Sequence, residues 1–151
     1  MLASLPFHPL VVHIPIVLLP AAAIGTIILS VKPSLVTRWS LTLAVVAGVG
    51  FIGALASTET GESLEHTRRE GGERISSTLH DHAELGEQAR TLAFGLFLII
   101  TAMWFLDRFE FSWKRSWMTP TVRIAGVLVA IATAFITYRT GHTGATSVWD
   151  N

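Results

Sequence analysis

Four apolar runs, each near the length of a bilayer crossing, leave this chain few ways to fold. The first extends from Leu10 to Val31, with His13 as its sole titratable side chain. The second covers Trp39 to about Ser57, the third is apolar from Leu92 to Leu106, and the fourth runs from about Val122 to Tyr138. About 20 apolar residues cross the hydrocarbon core, and inside lipid only helices or closed barrels satisfy their own backbone polar groups. Only 15% of the residues are charged, against about a quarter in soluble domains. Four such segments therefore have too little polar surface to be the buried helices of a soluble protein. The expectation is one all-α, integral membrane, four-helix up-and-down bundle over residues 1–151, with helices at about 9–31, 38–57, 78–107 and 120–140.

Local signals place the helix ends. Pro9 suits the first helical turn, where its missing N–H costs nothing, and His8 then stands at the capping position. Pro15 and Pro20 should bend this first helix, and Lys32-Pro33-Ser34 should turn it. The second helix is rich in small residues, with Ala44/Gly48 and Gly50/Ala54 at a spacing that lets helices approach closely. The polar stretch from Thr58 to Leu79 reads as a long loop holding an extra helical turn or two, and Gly141 reads as the stop of the fourth helix. No internal repeat is visible. Lys32, Arg38, Arg108, Lys114, Arg115 and Arg123 gather on one side of the membrane. Arg68, Arg69, Arg74, Arg90 and Arg139 lie on the other, among carboxylates. The excess of basic residues marks the inner side. This predicts a bacterial inner-membrane protein with both termini periplasmic, and with Trp39, Trp113 and Trp117 in the cytoplasmic interface.

Counting crossings puts all six histidines, His8, His13, His66, His80, His82 and His142, at one face. Cysteine is absent, which removes thiolate metal sites and c-type haem attachment, and a net charge of zero gives no sign of a nucleic-acid partner. In an up-and-down bundle the first and third helices are diagonal, and bundle cores host cofactors between facing side chains. His13, about one turn inside the first helix, and His82, near the start of the third, are the expected axial pair for a haem b, with His8 and His142 nearby. His80 lies about 200° around the helix from His82 and cannot share its direction. Arg139 or Arg68 would meet the propionates. The function expected is electron transfer, with the lipid bilayer as surroundings and a quinone or another membrane redox subunit as partner. Two alternatives stand beside it. One is a divalent-metal site (Zn, Cu or Fe) built by His8, His13, His82 and His142 with Glu62 or Glu59. The other is a non-catalytic accessory subunit of a respiratory or photosynthetic complex. His66 and His80 read as solvated residues, and no nucleophile motif is present.

The run His8-Pro9-Leu10-Val11-Val12-His13-Ile14-Pro15 resembles the opening signature of the domain of unknown function 2231 family, small four-helix bacterial membrane proteins. Thr60-Gly61-Glu62, His82-Ala83-Glu84-Leu85 and Gly141-His142-Thr143-Gly144-Ala145 with Val148-Trp149 resemble its middle and closing segments. Many members continue with a further His-Gly where this chain has Asp150-Asn151. The resemblance implies the four-helix topology and a shared histidine site, without an activity.

Overall fold

Five helices make up the computed structural model, which describes residues 7–72, 77–110 and 115–149. A short helix α1 (Phe7–Val11) leads into α2 (His13–Val31), a single 3-10 turn (Pro33–Leu35) follows, and then come α3 (Val36–Glu70), α4 (Ser77–Arg108) and α5 (Met118–Trp149). No strand occurs among the described residues. Pro15 has no N–H to donate to the Val11 carbonyl, which accounts for the interruption at Val12. The neighbouring bonds, Val12 N–H to His8 O and Ile16 N–H to Val12 O, carry the helix across the gap. The pair α1–α2 thus makes one crossing, and α3, α4 and α5 make the other three.

Two helix ends lie further out than the sequence suggests. The stretch after Thr58 is not a loop: α3 continues to Glu70, and its 35 residues span about 52 Å, well beyond a hydrocarbon core of about 30 Å. An ion pair one turn apart, Arg69–Glu65, lies along this projecting part, where His66 Nδ1 also stands 3.6 Å from Glu70 Oε1. Gly141 does not stop the last helix, which runs on to Trp149. The start of α4 at Ser77 agrees with the sequence reading.

Around the bundle the order is α2, α3, α4, α5, each helix packed along its two neighbours, with α2 and α4 barely touching across the diagonal. Large apolar side chains such as Val17, Ile24, Ile52, Leu98, Leu128 and Phe135 face outward, while Ala22, Ala47, Ala93 and Ala130 are fully buried. This is the membrane pattern: lipid accepts the large side chains, and small residues bring the helices close. Two buried hydroxyls use their own helix, Thr26 Oγ1 donating to Ala22 O at 2.7 Å and Thr133 Oγ1 to Val129 O at 2.7 Å, whereas Ser40 Oγ and Thr137 Oγ1 are buried without a hydrogen-bond partner among the described residues. Trp39 and Trp117 are exposed at the end opposite the chain start, where interfacial tryptophans belong. Trp113, Lys114 and Arg74 lie outside the described residues.

Candidate functional site

The ends of the four crossings on the side of the chain start meet in a polar layer, and two histidines stand at its centre. His8 on α1 is half-buried, its Nδ1 2.9 Å from the Ser57 carbonyl and 3.2 Å from Thr60 Oγ1, both on α3. His82 on α4 is half-buried too, its Nδ1 3.1 Å from the Thr140 carbonyl and 3.4 Å from Thr143 Oγ1, both on α5. Each threonine has already committed its own proton. Thr60 Oγ1 donates to the carbonyls of Ala56 and Ser57, and Thr143 Oγ1 to those of Arg139 and Thr140. Facing only acceptors, Nδ1 is the protonated nitrogen of each neutral ring, and Nε2 keeps its lone pair. The ring centroids are 6.2 Å apart with planes at 83°.

The two surroundings are one device used twice. Ser57-x-x-Thr60-Gly61 serves His8, and Thr140-x-x-Thr143-Gly144 serves His82. In both, a carbonyl is followed by a hydroxyl three residues on and by a glycine at the fourth. A Cβ on Gly61 would stand 3.2 Å from His8 Cε1, and one on Gly144 would stand 2.8 Å from His82 Cε1. At Gly144 a Cβ would clash with the ring, and at Gly61 the ring would have to give by a few tenths of an ångström.

The match extends through the membrane. Pro15, Leu19, Ala22, Thr26 and Leu29 are buried on α2, and Ala89, Ala93, Leu96, Ile100 and Met103 are buried on α4, each pair at the same separation as His8 and His82. On α3 and α5, Ala47, Gly50 and Ala54 correspond in the same way to Ala130, Thr133 and Thr137, all buried, at the separation of Gly61 and Gly144. The chain is therefore two like hairpins around an approximate twofold axis along the bundle, and the two imidazoles face each other across it. The sequence read along the chain shows no such repeat; it emerges from which positions are buried.

The family described as predicted membrane protein (DUF2231) matches residues 4–151. The chain belongs to this family. No curated protein and no solved structure matches it.

Several expected site residues of this DUF2231 protein lie elsewhere. His13 is exposed, with its Nδ1 2.7 Å from the Pro9 carbonyl one turn back on its own helix, so the ring that meets His82 is that of His8. The reason is helical phase: His8 continues the buried series Pro15, Ala22, Leu29, whereas His13 lies off it. His142 is exposed and stacked on Tyr138, centroids 6.2 Å apart and planes 4° from parallel. Glu59, Glu62 and Arg139 are exposed as well, and the Arg68 side chain lies outside the described ones. Among the described residues no three His, Asp or Glu side chains come together in a way that would hold a metal ion. His66 and His80 are exposed, as expected.

Sequence reasoning missed Arg90 as a site residue. It is half-buried on α4, with Nη1 3.4 Å from Thr58 Oγ1 on α3. A cleft of about 250 Å³ between the ends of α3, α4 and α5, lined by Val36, Met103, Asp107, Glu110 and Arg123 among others, lies at the end remote from the histidines.

Proposed function

We propose that this protein is a b-type haem protein of a bacterial inner membrane, passing electrons at its periplasmic face with His8 and His82 as axial ligands. The observation that carries the reading is the pair of imidazoles with their Nδ1–H groups fixed on backbone carbonyls. That outer support is what orients metal-bound histidines and fixes their tautomer. Iron or another metal held by two imidazole nitrogens at about 2.0–2.1 Å each sets the ring centres about 6 Å apart, and these stand at 6.2 Å.

Ligand number favours haem over a bare ion. A protein-built zinc site takes four ligands or three with water, and only two imidazoles converge here among the described residues. A porphyrin brings its own four nitrogens and asks the protein for the remaining two. Gly61 and Gly144 let the two imidazoles themselves lie against α3 and α5. When bound, haem would supply one-electron chemistry at its iron. The protein's part would be to hold the group through His8 and His82, leaving no open position, which favours electron transfer over oxygen binding, and to keep the two rings oriented through Ser57, Thr60, Thr140 and Thr143. The opposite half of the chain carries no histidine, so electron flow across the bilayer would need a quinone or a neighbouring redox subunit.

The test is a reduced-minus-oxidised visible spectrum of the full chain, purified in detergent after haem is supplied. A sharp low-spin signal is expected, and its absence sinks the reading. One observation favours a second reading: both rings are already satisfied by carbonyls and touch edge to face, as a purely structural pair would. Under that reading the protein is an accessory subunit. It would bind no haem, and its deletion would impair assembly of a larger membrane complex.

A further inference from the structure

We infer that Arg90 is the anion-binding residue of this site, placed to pair with a carboxylate of the bound haem; the inference rests on the haem reading above. Its ground is a half-buried arginine beside the histidines, at a position that is aliphatic in the other hairpin. By the register of the repeat, Arg90 corresponds to Ile16 and Thr58 to Gly141. A Cβ on Gly141 would meet Ile16 Cδ1 at 3.9 Å, an ordinary apolar contact. In the other hairpin Arg90 Nη1 approaches Thr58 Oγ1 at 3.4 Å. The same position thus holds an aliphatic pair on one side of the axis and a cation on the other.

The cation reaches toward the site. Arg90 sits about two turns along α4 from His82, and side chains on a helix lean toward its N-terminus, which on α4 is the histidine end. Thr58 adjoins Ser57, whose carbonyl holds His8. The Thr58 hydroxyl donates its own proton to Leu55 O at 2.9 Å and so accepts from Arg90. A guanidinium has five N–H donors, and this contact takes one. No carboxylate pairs with Arg90 among the described residues. A half-buried cation at the membrane edge, with donors to spare and no counter-ion, is costly unless something anionic meets it.

Haem is anionic along one edge, through its two propionates. Two axial ligands related by a twofold axis cannot choose how that edge is turned. A single arginine off the axis can, and it would do so by drawing the propionates to the α3–α4 side. Arg90 is then a positioning residue, and its partner is a carboxylate.

The experiment titrates the full detergent-purified chain, wild type and Arg90→Gln, with haem b and with its dimethyl ester, following the Soret band. For haem b, Arg90→Gln should weaken binding about tenfold, the loss of one charge-assisted hydrogen-bonded contact. The ester should bind the wild type about as weakly, and the substitution should cost the ester nothing more. Equal losses for haem and ester would make Arg90 merely structural and overturn the inference, as would an unchanged affinity for haem b. A wild type that binds neither compound overturns the haem reading and this inference with it. That failure is read from the wild-type curves alone.

Discussion

The first hairpin, α1 to α3, and the second, α4 with α5, bury the same positions with different residues. Where α2 places Leu19 the repeat has Ala93, and where α2 places Ala22 it has Leu96; each large side chain faces a small one within a single core cluster. Where the two hairpins hold a ring, by contrast, they use the same parts: a carbonyl, a threonine hydroxyl and a glycine. The membrane core needs only total volume conserved at each level, so it drifts in pairs. The histidine layer needs backbone atoms at fixed positions, and there the halves stay alike. Arg90 opposite Ile16 departs from this likeness, as do the exposed Glu84 opposite Leu10 and Glu87 opposite His13.

Volume exchange offers the largest effect. Leu19→Ala should destabilise the bundle by about 2–5 kcal/mol by leaving a cavity, and Ala93→Leu should cost about 1–3 kcal/mol by overpacking. The double exchange should recover most of both losses, measured by denaturant titration in detergent. Additive losses would break the claim that these positions face each other across the axis.

The glycine cradles come next. Gly144→Ala places its Cβ 2.8 Å from His82 Cε1, closer than the 3.2 Å of Gly61→Ala from His8 Cε1. Both should weaken haem binding, Gly144→Ala the more, with a cost on the order of 1–3 kcal/mol for the tighter contact. Equal, negligible losses would mean the rings have room to move. Smaller still, Thr60→Val and Thr143→Val each remove a hydroxyl beside a ring while the carbonyl contact remains. Each should cost about 0.5–1.5 kcal/mol of binding, with Thr60 the larger because its contact is 3.2 Å rather than 3.4 Å. His13→Ala should leave the haem spectrum unchanged, since that ring is exposed and bonded to its own helix.

The four crossings were legible because hydropathy over some twenty residues overwhelms every local signal. Their ends were not. Gly141 has the residue type of a helix stop, but it packs toward Ile16 and the helix passes through it. The polar run after Thr58 lacks an apolar stripe and so reads as loop, yet it continues α3, with the Arg69–Glu65 pair one turn apart along it. The choice of His13 over His8 came from depth in the apolar run, whereas phase decides which ring turns inward. That phase was present in the sequence: His8, Pro15, Ala22 and Leu29 fall at heptad spacing, and so do His82, Ala89, Leu96 and Met103. The repeated Ser/Thr-x-x-Thr-Gly motif was visible as well. Its meaning depended on knowing which helices face each other.

The central claim is that His8 and His82, not His13, form one symmetric ligand pair. Haem titration of wild type, His8→Ala, His82→Ala and His13→Ala, followed by low-temperature electron paramagnetic resonance, tests it most directly. A low-spin bis-imidazole signal is predicted for wild type and His13→Ala, with its loss in His8→Ala and His82→Ala alike. A low-spin signal that survives His8→Ala but disappears in His13→Ala, or no haem signal in the wild type, would contradict it.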